Sequence, residues 1–298
     1  MCGIVGLFLK DKLLEPKLGM MLTEMLITMS DRGPDSAGIA IYKPPSNSFT
    51  KITIQSSVPH IDFENIKVAL TNFLNQNLEI SIIDTHAIIT IEKEYLNDVK
   101  EILFKSFPNL RIMSIGDSIE IYKEVGLPKK VTNRFNISEM TGSHGIGHTR
   151  MATESAVTTM GAHPFSTGND QCLVHNGSLS NHNSLRRKLL KEGIKCETDN
   201  DTEVAAAYLT YKMNEGYDLG DALKAGITEL DGFYTFLVGT KSGFGVLRDP
   251  IACKPAVLAE TEQYVAFGSE YRALVNLPNI DSAKVWEPEP ATVYFWEH

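Results

Sequence analysis

The second residue of the chain is the first whose chemistry stands out. Cys2 directly follows Met1, so removal of one residue would leave a thiol and a free α-amine on the same residue. An α-amine has an ordinary pKa near 7.7 to 8.0 and accepts the proton of the thiol at neutral pH, which gives an activated nucleophile without a histidine partner. The alternative is that Cys2 begins a buried strand. Its position alone leaves both interpretations open.

Three histidines raise the question of a metal site. His148, His163 and His175 adjoin Gly, Pro and Asn at irregular spacing and lack the Glu-x-x-His or i,i+4 pattern of metal-binding helices. This favours structural or loop histidines. The glycines from Gly142 to Gly147 are not followed by Lys-Ser or Lys-Thr, so we do not expect a phosphate-binding loop there.

Composition argues against several classes of protein. The 298 residues include 28 Lys plus Arg and 37 Asp plus Glu, a formal net charge of −9, so nothing attracts the chain to nucleic acid or to an anionic membrane surface. A hydrophobic share of 43% with 22% charged residues is typical of a globular protein. No apolar run approaches the roughly 18 residues of a membrane span, and no basic region precedes the N-terminal apolar stretch. We expect neither membrane insertion nor export.

The cysteines are few and scattered. Cys2, Cys172, Cys196 and Cys253 form no Cys-x-x-Cys pair, so neither a zinc ribbon nor a disulfide scaffold is indicated. This usage suits a reducing compartment, and we expect a cytoplasmic protein.

The elements that must position these residues are mostly strands. A strand is predicted over residues 2–8, an amphipathic helix over 16–30 and a second strand over 36–42. Further strands are predicted at 148–151, 172–174, 233–238, 243–247, 256–259, 264–267 and 292–296. Two helices interrupt this series, over 184–190 and from the Asp199-Asn200-Asp201 cap to Tyr211. Many strands with grouped helices favour an α+β layered fold over a doubly wound sheet.

The segment 43–141 differs in character, being rich in Ile and Lys and free of residues that look catalytic. Its pattern predicts a strand, a helix, a hairpin across Asp84-Thr85, a second helix and a last strand over 110–115. The order β-α-β-β-α-β is that of a ferredoxin-like unit. We therefore divide the chain into one domain of residues 2–42 and 142–298, and an inserted α+β module over 43–141.

Five stretches of the sequence together resemble a known family. They are MCGIVG (1–6), DRGPDSAG (31–38), GHTRMAT (147–153), HNG (175–177) and NDTE (200–203). In this order they resemble the signatures of class II glutamine amidotransferases, which are N-terminal-nucleophile hydrolases, and the stretches 248–250, 254–255 and 269–274 are similar to that family too. Each motif alone is weak, whereas five in order are specific. The resemblance covers nearly everything outside 43–141 and implies a four-layer αββα fold.

The resemblance implies a reaction at Cys2. In this family the N-terminal cysteine attacks the side-chain carbonyl carbon of glutamine, expels ammonia and forms a γ-glutamyl thioester. The matching Asn-Gly pair, Asn176 and Gly177, would stabilise the oxyanion through the Asn side chain and the Gly backbone N–H, and one such donor is typically worth roughly 100- to 1000-fold in rate. An Asn-Gly pair is also typical of a plain hairpin turn.

The resemblance also implies how glutamine is held. Arg150 and Asp201 match the pair that binds the α-carboxylate and the α-ammonium, two charges that an apolar pocket cannot satisfy. The alternatives are a strand-end salt bridge for Arg150 and a helix N-cap for Asp201. Thr153 matches a residue that helps to hold the carboxylate, whereas Glu154 stands where some relatives have His. Arg32 lies in the loop that the family places beside the nucleophile, and the alternative for it is a solvated charge on a turn.

The chain contains no phosphate loop, no dinucleotide fingerprint and no cysteine set for an iron–sulfur cluster, so we expect the ammonia acceptor on another chain and no cofactor in this one. The stretches 158–165, 178–183 and 286–290 are similar to the stand-alone amidotransferase subunit of glutamate synthase-like complexes, such as N-methylglutamate synthase. In such complexes the flavin and any iron–sulfur cluster are carried by partner subunits.

Three hypotheses of function follow. The first is a glutaminase subunit that hydrolyses glutamine through Cys2 and passes ammonia to a synthase partner. The second is a regulatory subunit that binds glutamine through Arg150 and Asp201 without turnover. The third is an N-terminal-nucleophile hydrolase that acts on another amide.

Overall fold

The structure is a computed structural model that describes residues 2–75, 78, 80–152 and 156–298. Within these residues the chain forms sixteen strands and seven α-helices. The strands are β1 (Gly3–Leu9), β2 (Ser36–Tyr42), β3 (Phe49–Gln55), β4 (Ile80–Ile83), β5 (His86–Glu92), β6 (Arg111–Gly116), β7 (Ile119–Val125), β8 (His144–Arg150), β9 (Phe165–Gly168), β10 (Gln171–Leu179), β11 (Gly232–Gly239), β12 (Gly243–Arg248), β13 (Val257–Glu260), β14 (Tyr264–Gly268), β15 (Lys284–Trp286) and β16 (Val293–Glu297). The helices are α1 (Leu18–Thr28), α2 (Pro59–Leu74), α3 (Leu96–Ser106), α4 (Pro128–Arg134), α5 (His182–Lys191), α6 (Asp201–Asn214) and α7 (Leu219–Glu229).

The described strands form three sheets. The first sheet has the order β15-β13-β14-β1-β8-β2-β7, and the second sheet has the order β16-β12-β11-β10-β9. The module sheet has the order β4-β5-β3-β6. Strand β1 therefore lies in the middle of the first sheet, where β14 and β8 pair with it on both sides.

The two larger sheets stack between layers of helices. Side chains of β1 alternate, so that Val5 and Leu7 pack in the cluster around α1, while Ile4 and Phe8 pack between the two sheets. Helices α5, α6 and α7 cover the other face of the second sheet. The layer order is helix, sheet, sheet, helix, and the expected α+β fold with four αββα layers is confirmed.

The expected ferredoxin-like order is also present. Strands β3 to β6 and helices α2 and α3 follow one another as β-α-β-β-α-β, and β5 lies antiparallel between β4 and β3. These elements have their own core, to which β3 contributes Ile52, α2 contributes Phe63 and α3 contributes Leu103.

The module is narrower than the segment 43–141 that the sequence predicts. Strand β7 pairs with β2 in the first sheet, with Tyr42 opposite Ile119, and Phe135 beyond it packs in the cluster around α1. The module sheet and its helices instead lie between Phe49 and Gly116. The segment 43–141 included the residues of β7, for which no strand was predicted, because a local pattern does not indicate which sheet a segment joins.

Helix α7 was not expected. It buries Leu219, Ala222, Leu223 and Gly226, the spacing of an amphipathic helix, but Gly220 and Gly226 both weaken the pattern because glycine disfavours helices. Helix α4, strand β7 and the short strands β9 and β15 were missed as well. Among the described helices, none combines the length and the apolar character that crossing a membrane requires.

Candidate active site

Cys2 lies immediately before β1 and is half-buried. Its backbone carbonyl oxygen accepts two hydrogen bonds, from Nε of Arg32 at 2.9 Å and from Nδ2 of Asn176 at 3.2 Å. Its Sγ lies 3.9 Å from the carbonyl oxygen of Met151. The next residue, Gly3, donates its N–H to Oγ1 of Thr149 at 3.2 Å. The start of β1 is therefore held by side chains from three other segments.

Arg32 is buried beside Cys2 and is not the solvated turn charge that was its alternative. Its Nη1 lies 2.5 Å from Oε1 of Glu270, and Nε of Arg272 lies 2.6 Å from the other oxygen of this carboxylate. The hydrogen bond from Arg32 is the main cause that lowers the pKa of Glu270. The guanidinium of Arg32 is thus held by two partners, the carboxylate of Glu270 and the carbonyl oxygen of Cys2.

Asn176 and Gly177 lie inside β10 rather than in a hairpin turn. They pair with Thr235 and Tyr234 of β11. Gly177 has φ of +146°, and a Cβ at this position would lie 2.0 Å from the carbonyl oxygen of Phe233. Only glycine suits this backbone, so the Asn-Gly pair reflects a requirement of the strand and not of a turn.

Asp201 is the first residue of α6, but it is not the N-cap. The capping residue is Asn200, whose side chain accepts from the N–H of Thr202 at 2.9 Å. Oδ2 of Asp201 accepts from the N–H of Leu179 at 2.9 Å, and Oδ1 lies 3.7 Å from Nδ1 of His175. Asp201 is therefore hydrogen-bonded to one end of the β10 segment that carries Asn176 and lies close to its other end.

Arg150 ends β8 and is buried. Its Nη1 donates to the carbonyl oxygen of Ala156 at 3.3 Å, and a Cβ on Gly161 would lie 3.2 Å from the same nitrogen. It directly follows Thr149, which faces Gly3 across the sheet, so the strand pairing brings Arg150 near the start of β1. Thr153, the other expected carboxylate ligand, lies outside the described residues.

The three histidines form one buried cluster around a hydroxyl group. Nε2 of His163 lies 2.7 Å and Nδ1 of His175 lies 3.0 Å from Oγ1 of Thr202. The rings of His148 and His163 stack at 4.0 Å, and Nε2 of His148 donates to the carbonyl oxygen of His175 at 3.0 Å. Within the described residues no group of three His, Cys, Asp or Glu side chains is placed to hold a metal ion.

Burial sets the charge of this cluster. It lowers the pKa of His148 to about 3, that of His163 well below its ordinary value, and that of His175 as well. All three rings are neutral at neutral pH. The cluster links β8, β10 and the first turn of α6 by stacking and hydrogen bonds rather than by charge.

Lys123 is a buried cation behind the cluster that the sequence analysis did not identify. Its Nζ donates to the carbonyl oxygens of Ala162 at 2.8 Å and Pro164 at 3.1 Å, on both sides of His163, and lies 4.4 Å from the centre of the Phe165 ring. Burial lowers the pKa of Lys123 to about 8. Lys123 therefore fixes the backbone that presents His163 to Thr202.

Sequence patterns contained a signal for Lys123 but not for Glu270. In β7 the alternation places Lys123 on the same strand face as Ile119 and Ile121, which pack between the sheets, and a lysine on an apolar face is unusual. Glu270 was part of a family-like stretch, yet nothing in its spacing pointed to Arg32, 238 residues earlier.

The sequence of the chain matches known amidotransferases. Residues 136–295 match the model of the glutamine amidotransferase domain. Over 298 residues the chain is 66% identical to the glutamine amidotransferase-like protein GlxB of Rhizobium meliloti, covering all of this chain and 99% of that protein. The chain belongs to the glutamine amidotransferase family.

Two further comparisons agree with this family. A protein of Methanothermobacter thermautotrophicus, also named as a glutamine amidotransferase, is 32% identical over 307 residues and is matched along its whole length. The solved glutamine phosphoribosylpyrophosphate amidotransferase from B. subtilis, complexed with ADP and GMP, superimposes with a TM-score of 0.64 at 20% identity. This similarity covers 99% of our chain and 47% of that one, and it shows a shared fold. The expected class II amidotransferase fold and family are therefore confirmed.

The backbone at Gly177 gives a first prediction. Gly177→Ala should lower the free energy of unfolding by at least about 2 kcal/mol, because alanine meets both an unfavourable φ and the Phe233 carbonyl. Urea unfolding measures the change. Gly193→Ala is the matched control, since Gly193 has φ of +82° with nothing within 4 Å of the added Cβ, and we expect it to cost about 1 kcal/mol. Equal losses in the two variants would show that the Phe233 contact does not constrain this position.

The buried lysine gives a second prediction. Between about pH 8 and pH 10.5 the unfolded chain keeps the proton of Lys123 while the folded chain has lost it, so stability contributed by this residue rises with pH. Relative to Lys123→Met, the wild-type free energy of unfolding should increase by up to about 3 kcal/mol across this window. Denaturant unfolding at several pH values measures it. The exposed Lys100→Met is the control. If the free energy of unfolding of the wild type rose with pH by the same amount relative to Lys100→Met as relative to Lys123→Met, the lowered pKa of Lys123 would be contradicted.

Proposed function

We propose that this family member hydrolyses glutamine to glutamate and ammonia through Cys2. Removal of Met1 frees the α-amine, which takes the thiol proton. The thiolate attacks the side-chain carbonyl carbon of glutamine, and the bond to the amide nitrogen breaks. Ammonia leaves with the proton returned from the α-ammonium, and a γ-glutamyl thioester remains. Water then attacks the thioester, releases glutamate and restores the thiol.

The oxyanion formed in both attacks needs fixed donors. Asn176 has two N–H donors on Nδ2, and one of them reaches the carbonyl oxygen of Cys2. We assign the other donor, together with the backbone N–H of Gly177, to the oxyanion. The constrained backbone of Gly177 keeps this N–H in one direction, so the donors need no rearrangement as negative charge develops.

Two charged residues hold the ends of the substrate. Arg150 binds the α-carboxylate of glutamine, with Thr153 as a second contact, and Asp201 accepts from the α-ammonium. Asp201 keeps a free lone-pair direction for this purpose beyond the bond from Leu179. Arg32 acts as a supporting residue, since it holds the carbonyl of Cys2 and directs the start of β1 into the site.

One observation carries this proposal above the others. The side chain of Asn176 contacts the carbonyl of Cys2, although the two residues are 174 positions apart. This contact supports the proposal, because a nucleophile and its oxyanion donor must lie close together, whereas an unrelated cysteine at a strand end does not require such a contact.

Replacement of the nucleophile tests the hydrolysis. In protein whose loss of Met1 is confirmed by mass spectrometry, Cys2→Ala should lower the rate of glutamate release by at least about a thousandfold. Cys253→Ala, which removes an exposed free thiol, should retain the wild-type rate. A peptide that permanently blocks the amine of Cys2 should also abolish turnover.

Two outcomes would decide against this mechanism. Wild-type rates in Cys2→Ala would exclude Cys2 as the nucleophile. Saturable glutamine binding by processed wild-type protein without ammonia release would favour a glutamine-binding regulatory subunit.

We further propose that the ammonia is used by another chain, in a glutamate synthase-like or N-methylglutamate synthase complex. The support is the absence, within the 298 residues, of sequence motifs for phosphate, dinucleotide or iron–sulfur binding, together with the stretches that resemble the stand-alone subunit. The partner subunits then carry the flavin and any iron–sulfur cluster, and this chain carries no cofactor. A free thiol at Cys2 suits a reducing cytoplasm.

Nitrogen transfer tests this second proposal. The complex purified through a tag on this chain should contain a flavin-bearing subunit at constant stoichiometry. Given glutamine labelled with heavy nitrogen in its amide, it should place the label in an amino acid product and not in free ammonium. The complex assembled with Cys2→Ala should make the same product only from added ammonium. Label that appears only in free ammonium would overturn the proposal.

A further inference from the structure

A cavity of about 410 Å³ lies where the module meets the main domain. One wall comes from the end of α3 and the start of β6, with Phe104, Phe107 and Arg111. The opposite wall comes from two loops of the main domain, with Met160 on one and Lys195, Glu197 and Thr198 on the other. These lining residues are not those that hold Cys2, so the cavity is separate from the proposed reaction centre.

The lining favours a small amphipathic anion. Phe104 is 81% exposed, and an aromatic ring left in water at the edge of a cavity gains free energy when a ligand covers it. Arg111 and Lys195 provide two cations against one carboxylate, that of Glu197. The guanidinium of Arg111 is already fixed, because Nη1 donates to the carbonyl oxygens of Pro108 at 3.0 Å and Leu110 at 3.1 Å. Aromatic walls with a positioned cation suit an apolar ring that bears a carboxylate or sulfonate.

One wall of the cavity is bonded to the turn that carries Asp201. The carboxylate of Glu203, in the first turn of α6, accepts from the N–H of Glu197 at 2.6 Å and from the N–H and hydroxyl of Thr198 at 2.7 and 2.6 Å. Nη1 of Arg186 donates to the carbonyl of Thr198 at 2.5 Å. A ligand that contacts Thr198 therefore contacts a loop that is hydrogen-bonded to the first turn of α6, the turn that contains Asp201.

The other loop leads to Arg150. Met160 is followed by Gly161, which packs against the guanidinium of Arg150, and the same loop contains Ala156, whose carbonyl accepts from it. Thr159 donates to the carboxylate of Glu124 at the end of β7. The two loops that border the cavity thus each support one end of the proposed glutamine site.

We propose that this cavity binds a small anion with an aromatic body and that its occupancy tightens glutamine binding. The second half rests on the proposed function, because it takes Arg150 and Asp201 as the residues that hold glutamine. A ligand that contacts the module and both loops restricts their motion, so that the protein loses less conformational entropy when glutamine binds to the already ordered site. The coupling lowers the KM for glutamine and leaves kcat unchanged.

Binding to the cavity is tested first, by titrating the full-length protein with 8-anilinonaphthalene-1-sulfonate as the probe. Its fluorescence titration should saturate at one site per chain. Phe104→Ala and Lys195→Glu should each raise the Kd by about tenfold, since each removes one recognition element. Phe73→Ala and Lys191→Glu are the matched controls, an exposed aromatic on α2 and an exposed lysine on α5 that do not line the cavity. Unsaturable binding, or equal Kd values in all four variants, would overturn the site.

Coupling is tested second, by glutamine hydrolysis at saturating probe. The KM of the wild type should fall by about threefold and that of Phe104→Ala should not change. An unchanged wild-type KM would overturn the coupling. The two proposals fail separately, because an absence of hydrolysis would refute the proposed function while the titration still decides whether the cavity is a binding site.

Discussion

The arrangement of the site depends on the carbonyl oxygen of Cys2. Arg32 and Asn176 both donate to it, and they come from opposite sides, one from the loop after α1 and the other from the second sheet. Because this backbone oxygen is used, the thiol and the amine of the processed chain stay available for chemistry. The two stacked sheets are needed to bring these donors together, so the position of the proposed nucleophile depends on the fold.

Beneath the site, three imidazoles are buried without charge, and one lysine is buried beside them. His163 and His175 contact the hydroxyl of Thr202, His148 stacks on His163, and Lys123 holds the backbone on both sides of His163. Hydrogen-bonded polar groups in a dry interior define one geometry, because any displacement leaves a donor unpaired. The low pKa values of the three histidines mean that these rings stay neutral while the pH passes through the range in which an α-amine titrates. Lys123, with a pKa of about 8, titrates within that range.

Much of this architecture was predictable, because strands and helices with one buried face have a period that can be read locally. Strand β2 was predicted with the bounds that the structure has, and the β-α-β-β-α-β order of the module was correct. Pairing between distant strands leaves no such local mark, which is why the residues of β7 were included in the module segment. The four-layer order and the candidate residues came from resemblance to a family, since no periodicity relates Cys2 to Asn176. Glu270 could be recognised only once the fold had placed it against Arg32.

The attachment of the module explains how it can influence the main domain without a reactive residue of its own. At its base, Lys51 of β3 pairs with Glu120 of β7 at 2.9 Å, and the N–H of Asp170 donates to the carbonyl oxygen of Ile115 of β6 at 2.9 Å. These contacts fix the module at the β2–β7 end. The β4–β5 hairpin adds a further contact, because Asp84 pairs with Arg134 of α4 at 2.7 Å. The cavity lies between α3 and the two loops. Since the module is held against the main domain and lines the cavity together with both loops, a small change at the cavity reaches both ends of the proposed glutamine site, because packed interfaces do not deform continuously.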